Sequence, residues 1–436
     1  MESVSEFAKS EMSVILCLSP MALNGILRID PSLVNFITGL SLSLLQNREK
    51  TRDMKLSIYE KLGVKRVINA WGTITAIGGS IMPREVVEAW VEASKSHVNM
   101  DELHKRAGEI IADITGAEAG LVTSGAAAAM VLMAAACIAG NDREKMERLP
   151  HSEGMPNEMV IPRHMSGGYS QAFLAGGARL VLVGDEKGNF TVQQIEDAIT
   201  DKTVAIAYVF YTTRSNLKTL REIIALGKRH DIPVIVDAAA ELPPIENLTR
   251  VIAWGADLVA FSGGKDIMGP QNTGILCGRK DLIESAFAQS CPHHAVGRPM
   301  KVSKEALVAS VTALRRYASL DQAALVQERE KLVKYWMEAL ADVPHVKVER
   351  IVPNPEKDEY FAQGWPRARI ILEEEALGLT AKEVAQALRE DNPEIYVGTE
   401  KGAIVLNPHC IQEGEEVIVA DRLRDVLQAH RQGSSR

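Results

Sequence analysis

From about Pro83, the chain alternates between two hydrophobic patterns. Apolar residues recur with helical spacing over 84–95, 101–115, 192–199, 220–229 and 248–254. Short apolar runs typical of strands buried on both faces lie at 120–122, 159–162, 179–183, 204–210, 234–236, 258–261 and 274–277. The alternation predicts an α/β fold with a mostly parallel, helix-covered sheet, and such sheets bind ligands at the carboxyl ends of their strands.

The C-terminal part follows a different pattern. A long amphipathic stretch over 304–336 leads to predicted strands near 346–351, 367–372 and 395–406 and to helices at 381–389 and 415–430. These elements predict a smaller α+β domain. Because one core rarely serves so long a chain, we expect a large domain over 54–320, which includes an N-terminal arm, and a small domain over 321–436.

Residues 1–53 have no clear hydrophobic period and end in the charged stretch 47–53. We expect an extension of unknown role, with Met54 as a possible native start. An apolar stretch over 12–27 follows Glu2, Glu6 and Glu11, where a secretion signal would carry positive charge. We therefore expect no secretion. We also expect no membrane span, because the longest uncharged N-terminal run, 31–47, is too short and too polar to cross a bilayer.

Composition narrows the function classes. The 436 residues are 46% hydrophobic and 24% charged, as in an ordinary folded protein, and the net charge is −8. An acidic chain has no overall positive field to attract nucleic acid. The five cysteines are scattered without a CxxC pair, which indicates neither a disulfide framework nor a zinc site and favours the cytoplasm.

Small residues follow the predicted strand at 120–122, in the order Thr123-Ser124-Gly125-Ala126. Where a strand turns into a helix, small side chains let backbone N–H groups approach a phosphate, and the helix dipole adds to the attraction. Close helix packing is the alternative explanation for an alanine-rich helix.

Two charged residues end neighbouring predicted strands. Asp237 closes the run 234–236, and a buried carboxylate there needs a partner such as a protonated pyridine nitrogen. Lys265 follows 258–261 inside a glycine-rich turn, where partial desolvation favours a nucleophilic amine. One strand-helix-strand step separates them, so both can face one crevice. A helix cap or ion pair for Asp237, and a solvated Lys265, are the alternatives.

Together these residues resemble pyridoxal phosphate enzymes of fold type I, and more narrowly the family related to bacterial seryl-tRNA(Sec) selenium transferase and D-glucosaminate-6-phosphate ammonia-lyase. The likeness extends over most of the chain after Met54. It involves residues 67–73, 101–103, 123–125, 262–265, 269–271 and 297–302.

The resemblance implies that pyridoxal 5′-phosphate is the cofactor, that Lys265 is its Schiff-base lysine and the proton-transfer base, and that Asp237 pairs with the pyridine nitrogen. It also implies that the cofactor phosphate is held by Ser124, Gly125 and Ala126, with a further hydroxyl from Ser262. Ala239 should pack on one face of the cofactor ring. A homodimer or a higher assembly, with the active site at the subunit interface, is a further implication.

Other residues have weaker assignments. His164 could stack on the second ring face or lie in a surface loop. Arg298 could bind a substrate carboxylate or phosphate, or the cofactor phosphate across a dimer interface. Trp71, Tyr211 and His294 could line the substrate pocket or simply pack. Many relatives hold the substrate carboxylate with a small-domain arginine, which the stretch 395–399 lacks.

The resemblance favours a lyase that removes a β-substituent from a small amino acid or amino sugar acid and releases ammonia and a keto acid. A selenium transferase-like activity is second, because a tRNA partner calls for a basic module that the chain lacks. A racemase or epimerase would need a second base, for which His164 or His294 is a candidate. A non-catalytic homologue is the remaining alternative.

Overall fold

The computed structural model describes residues 57–209, 217–352 and 365–433, with side chains through Gln428. The predicted extension over 1–53, Tyr211 and the end of the predicted strand 204–210 lie outside these residues. The chain divides after Arg66 into two units. The first contains helix α1 (Ile58–Lys61), whose N-terminus is closed by a capping box between Ser57 and Glu60.

The second unit contains the strands, which run in chain order as β1 (Val67–Ala70), β2 (Ala119–Thr123), β3 (Glu158–Pro162), β4 (Arg179–Val183), β5 (Thr203–Val209), β6 (Val234–Asp237), β7 (Leu258–Ser262), β8 (Gly274–Gly278), β9 (Val346–Ile351), β10 (Arg367–Leu372), β11 (Glu394–Glu400) and β12 (Ala403–Leu406). Seven of them form one sheet in the order β2-β8-β7-β6-β5-β3-β4. Strand β8 runs antiparallel to both of its neighbours, and the other pairings are parallel.

Helices cover this sheet and separate its strands: α2 (Arg84–Ser94), α3 (Met100–Thr115), α4 (Ala126–Ala139), α5 (Arg143–Arg148), α6 (Gln171–Ala175), α7 (Val192–Asp197), α8 (Leu217–His230), α9 (Asn247–Trp254), α10 (Lys280–Gln289) and α11 (Lys304–Ser319). All residues of β3, β6 and β8 are buried, as expected of strands with helices on both faces. The α/β fold predicted from the hydrophobic pattern is confirmed.

A second sheet of five strands has the order β1-β11-β12-β10-β9. It packs with α12 (Gln322–Ala339), α14 (Ala381–Glu390) and α15 (Glu415–Gly433), and the short α13 (Glu374–Leu377) follows β10. Strand β1 pairs in parallel with β11, and Ile68 lies opposite Ile395. The arm at the start of the second unit thus contributes a strand to the sheet formed mainly by the C-terminal part.

Two predicted elements differ from the structure. The predicted strand 395–406 is a hairpin of β11 and β12, because Gly402 adopts a left-handed φ of 69° between them. The continuous pattern over 304–336 contains two helices, α11 and α12. Asp321 starts the second, since its side chain accepts the backbone N–H of Ala324 at 3.1 Å. Among the described helices, none combines the length and apolar character needed to cross a bilayer.

Candidate active site

The register of the large sheet brings the predicted chemical groups to one edge. Asp237 of β6 lies opposite Ala260 of β7, two residues before the end of that strand. Ser262 at the end of β7 lies opposite Gly274 of β8, which in turn lies opposite Thr123 of β2. The phosphate-binding turn, the lysine loop and the aspartate therefore all emerge at the same edge.

Asp237 is nearly inaccessible, with 7% of its surface exposed. Its Oδ1 accepts the backbone N–H of Ala239 at 3.0 Å. Burial raises the pKa of Asp237, while the Ala239 hydrogen bond and the charge of Lys265 act in the opposite direction. No basic side chain among the described residues forms an ion pair with it, so a cationic N–H donor would complete its environment.

Lys265 lies in a tight loop between β7 and β8. The Gly269 N–H donates to the Gly263 carbonyl at 2.8 Å, and the Met268 N–H donates to the Lys265 carbonyl at 2.9 Å. A side chain at Gly264 would lie 2.3 Å from Cα of Gln271, so only glycine fits there. Burial lowers the pKa of Lys265, against the charges of Asp237, Asp266 and Glu241. The loop thus holds an amine that loses its proton more readily than a solvated lysine.

A cavity of ≈ 250 Å³ opens beside the Lys265 side chain. One side is formed by the strand end and the lysine loop, and the other by the segment after β1: Thr73, Thr75 and Gly79. Gln271 Nε2 donates to the Thr75 carbonyl at 3.2 Å, and the Ser80 hydroxyl donates to the Gly264 carbonyl at 2.9 Å. These bonds join the segment after β1 to the lysine loop, and the segment forms one wall of the cavity.

Helix α4 begins at the predicted phosphate-binding turn. Gly125, its N-cap, has a φ of 91°, and no side chain caps the helix. No atom lies within 4 Å of the position a Gly125 side chain would take. Thr123 Oγ1 donates to the Gly125 carbonyl at 2.9 Å and fixes the turn. The first N–H groups of a 14-residue helix are therefore accessible to an anion.

Beside Lys265, the next residue belongs to a buried polar cluster. Asp266 is 4% exposed and accepts the Trp365 indole N–H at 2.7 Å. The Trp365 ring stacks on His409 at a centroid distance of 5.5 Å. Burial lowers the pKa values of Arg329 and Arg367, which both lie in the field of Asp266. The charge of Glu328 also acts on Arg329, and that of Glu400 acts on Arg367.

The cavity at Lys265 is not lined by Trp71, Arg298 or His294. The Trp71 ring lies against Gly398 and below the Arg389 guanidinium, 5.7 Å from it. Arg298 donates to Cys291 Sγ at 3.2 Å in the segment after α10. His294 in the same segment is exposed.

His164 follows β3, and its ring lies 5.6 Å from that of Phe190. Gly188 also approaches it, because a Cβ at that glycine would lie 3.1 Å from the His164 Cβ. These contacts fix one side of the ring. Its predicted stacking on a cofactor remains a prediction.

Comparison with known proteins decides the family. D-glucosaminate-6-phosphate ammonia lyase of Salmonella typhimurium is 33% identical over 384 residues, which span 86% of this chain and 99% of the relative. A solved structure of a D-glucosaminate-6-phosphate ammonia-lyase superposes with a TM-score of 0.75 at 32% identity, covering 86% of this chain and 100% of that one. The chain belongs to this family.

Three further likenesses place the family among pyridoxal phosphate enzymes of fold type I. The class-V aminotransferase profile matches residues 169–362. A 5′-C-glycyluridine monooxygenase-decarboxylase of Streptomyces is 32% identical over 383 residues, 85% of this chain and 92% of the relative. L-seryl-tRNA(Sec) selenium transferase of Nitratidesulfovibrio vulgaris is 24% identical over 410 residues, 83% of this chain and 82% of the relative. The predicted resemblance is confirmed, and this family member is a pyridoxal-phosphate-dependent enzyme.

The residues of the site fit that cofactor. Asp237 forms no ion pair with a basic side chain of the described residues and could hold the protonated ring nitrogen. The uncapped start of α4 could hold the phosphate, and Lys265 lines a cavity large enough for a small substrate. Sequence reasoning missed the wall after β1 and the cluster around Asp266. It also missed Glu241, a fully buried acid four residues after Asp237.

Proposed function

We propose that this enzyme is a lyase that removes a β-hydroxyl from a 2-amino-3-hydroxy acid, either a small amino acid or an amino sugar acid, and releases ammonia and a keto acid. The observation that carries the proposal is Lys265, a desolvated amine beside a walled cavity, in a chain 33% identical to an ammonia lyase over most of its length. The atoms balance without an oxidant. The hydroxyl leaves as water, and one water replaces the amino group as the carbonyl oxygen.

Pyridoxal phosphate, when bound, supplies an electron sink for negative charge that develops at the substrate α-carbon. The protein contributes position and proton transfer. The Lys265 amine accepts the α-proton at Nζ, and burial lowers its pKa, which favours the unprotonated form relative to a solvated lysine. Asp237 would stabilise the positive ring nitrogen, and the N–H groups at the start of α4 would hold the phosphate.

The same proposal includes contacts between the cofactor and six further residues: Ser124, Gly125, Ala126, Ala239, Ser262 and His164. It also includes the wall that contains Thr73 and Thr75, which limits water around the amine. Because parallel strands end together, the turn before α4, Asp237 and Ser262 all lie where the cofactor would lie.

Recognition of an acidic substrate is the part that the sequence leaves open. Arg329 and Arg367 lie in the field of Asp266, next to Lys265, and burial lowers the pKa of both guanidinium groups. A guanidinium pairs well with a carboxylate or phosphate in such an environment. We propose that these two arginines bind the acid group of the substrate. Arg298 would then bind the cofactor or the substrate at a subunit boundary.

We further propose that the enzyme is a homodimer, that it is cytoplasmic, and that it has no nucleic-acid partner. The family supports the dimer, and the net charge of −8 disfavours nucleic acid. The described cysteines, Cys137, Cys277, Cys291 and Cys410, are all free thiols, as expected in a reducing compartment.

The test is a product assay. The enzyme is incubated with small 3-hydroxy amino acids and with phosphorylated amino sugar acids, and keto acid, ammonia and carbon dioxide are measured together. Equal amounts of keto acid and ammonia support the lyase. Carbon dioxide release with oxygen uptake would instead favour a decarboxylating activity of the kind named for the Streptomyces relative.

A further inference from the structure

The cavity beside Lys265 has a polar but almost uncharged lining. Apart from Lys265 itself, the residues that line it are glycines and residues with hydroxyl or amide side chains. No acidic side chain and no second basic side chain of the described residues lines it. A few fixed polar groups in a ligand site determine which chemical groups it accepts. This lining therefore favours a neutral group that forms hydrogen bonds.

Thr73 lies in a tightly held turn after β1. The Gly72 carbonyl accepts the Ile74 N–H at 2.7 Å and Asn69 Nδ2 at 2.8 Å, and Asn69 Oδ1 accepts the Gly72 N–H at 3.0 Å. Gly72 has a φ of 124°, and a Cβ there would lie 2.8 Å from Asn407 Nδ2. These contacts fix the backbone on both sides of Thr73. The Thr73 hydroxyl forms no hydrogen bond with another described residue, so it is available to a ligand in the cavity.

Asn272 lies on the other side of the cavity, in the loop before β8. The Thr273 N–H donates to the Pro270 carbonyl at 3.0 Å, which closes a turn with Asn272 at its third position. The buried Thr273 hydroxyl donates to the same carbonyl at 2.7 Å. The neighbouring Gln271 donates to the Thr75 carbonyl at 3.2 Å. The Asn272 amide has no hydrogen-bond partner in the described part of the chain, so it offers both a donor and an acceptor.

A hydroxyl group of a ligand matches both side chains. It donates and accepts hydrogen bonds, as do the Thr73 hydroxyl and the Asn272 amide. An apolar chain in the cavity would displace water from both residues without replacing its hydrogen bonds, which is unfavourable. In the proposed function Lys265 is committed to the cofactor and the α-proton, so no charged lining residue of the described chain is left for an acid group.

We propose that Thr73 and Asn272 are specificity-determining residues, which hydrogen-bond hydroxyl groups that the substrate carries beyond its β-carbon. This rests on the lyase proposed above and selects the amino sugar acid, whose chain carries such hydroxyls, over the small amino acid. The two residues lie on different sides of the cavity at Lys265, so a substrate that reacts there extends its chain between them. Because turns hold the backbone at both positions before the substrate binds, little conformational entropy is lost on binding.

The first experiment compares serine with a six-carbon 2-amino-2-deoxy sugar acid of the same α-carbon configuration, and takes the ratio of their kcat/KM values as the selectivity. The wild type should favour the sugar acid. Thr73→Val and Asn272→Leu remove the polar groups at nearly constant volume, and each should lower the selectivity roughly threefold to tenfold. Thr73→Ser keeps the hydroxyl and should stay within about twofold of the wild type. Thr399→Val and Asn141→Leu change exposed residues outside the cavity lining, and these matched controls should keep wild-type selectivity.

The second experiment measures binding without turnover. Gluconate has the hydroxylated chain but no amino group, so it cannot react through the cofactor, and hexanoate has the same number of carbons without the hydroxyls. Calorimetric titration of the cofactor-loaded wild type should show tighter binding of gluconate than of hexanoate. Thr73→Val and Asn272→Leu should each bind gluconate roughly threefold to tenfold more weakly, and Thr399→Val should bind it as the wild type does.

Wild-type selectivity and wild-type gluconate affinity in both Thr73→Val and Asn272→Leu would overturn the proposal. An equal fall of kcat/KM for serine and for the sugar acid would overturn it too, since the two residues would then act on the part that both substrates share. Failure of the lyase has a different signature. Neither substrate would then yield keto acid, while the gluconate titrations would still show whether the two residues bind hydroxyl groups.

Discussion

Trp365 donates its indole N–H to Asp266 Oδ1 at 2.7 Å, and this bond connects the start of β10 to the residue after Lys265. Both partners are nearly inaccessible, at 3% and 4% exposed. Since Asp266 is adjacent to the lysine in the chain, the bond helps to fix the loop that carries the amine. The second sheet therefore takes part in positioning the lysine of the first.

Trp365→Phe tests this connection. The aromatic body remains while the donor is lost, so Asp266 keeps a buried charge with one partner fewer. We expect a loss of about 1–3 kcal/mol in the free energy of unfolding and weaker cofactor binding. Urea unfolding and absorbance titration measure the two effects.

Trp336→Phe is the matched control, because Trp336 is another buried tryptophan whose indole donates to a main-chain carbonyl, that of Glu416, at 3.0 Å. It should lower stability without affecting cofactor affinity. If both variants weaken the cofactor equally, Trp365 acts only through general stability.

Gly264→Ala should disrupt the lysine loop. The added methyl would lie 2.3 Å from Cα of Gln271, and backbone must move to admit it. We expect a destabilisation of roughly 1–3 kcal/mol or more and a loss of cofactor binding. Gly168→Ala provides the control, since a Cβ there meets no atom within 4 Å. Similar unfolding curves for the two variants would show that the loop has room to adjust.

Ala127→Asp should have opposite effects on the apoprotein and on the cofactor complex. Ala127 is exposed in the first turn of α4, where a carboxylate stabilises the helix dipole by about 0.3–1 kcal/mol but repels a phosphate. We expect equal or greater apoprotein stability together with weaker binding of pyridoxal phosphate.

Ala323→Asp is the control for this change, as it introduces the same charge at the equivalent exposed position of α12. It should leave cofactor affinity unchanged. Wild-type affinity in Ala127→Asp would exclude the start of α4 as the phosphate site.

Arg329→Gln and Arg367→Gln should each raise KM for an acidic substrate. Loss of one hydrogen bond to a charged group in a buried site corresponds to roughly tenfold or more. Arg369→Gln, two residues further along β10, removes an arginine that pairs with Glu349 and Glu400 instead. Steady-state kinetics should therefore separate the first two variants from the third. An unchanged KM in both variants would show that these two arginines do not bind the acid group of the substrate. Arg298 would then be the next candidate.

Much of the site followed from local sequence pattern. The positions of Asp237 and Lys265 were predictable because the first ends a buried apolar strand and the second follows another, and parallel strands place their carboxyl ends together. The turn at Gly125 was recognisable from its small residues. Strand β1, by contrast, is short and precedes the regular alternation, so its pairing with β11 depends on contacts between distant parts of the chain.

The missed residues have the same explanation. Asp266 and Trp365 are separated by 99 positions, and no local period links them. Thr73 and Thr75 lie outside any apolar pattern and reach Lys265 only through the folded arm. Glu241 precedes Pro243 and Pro244, and an acid in such a stretch normally indicates an exposed turn. Its burial arises from packing that sequence spacing does not contain.

The most direct test of the central claim is the visible spectrum of purified enzyme supplied with pyridoxal 5′-phosphate, compared with that of Lys265→Ala. The account predicts an absorption band in the wild type that survives removal of free cofactor. Lys265→Ala should lack the lysine-bound band, while Lys301→Ala should retain it. A band of equal intensity and position in Lys265→Ala would contradict the assignment of Lys265.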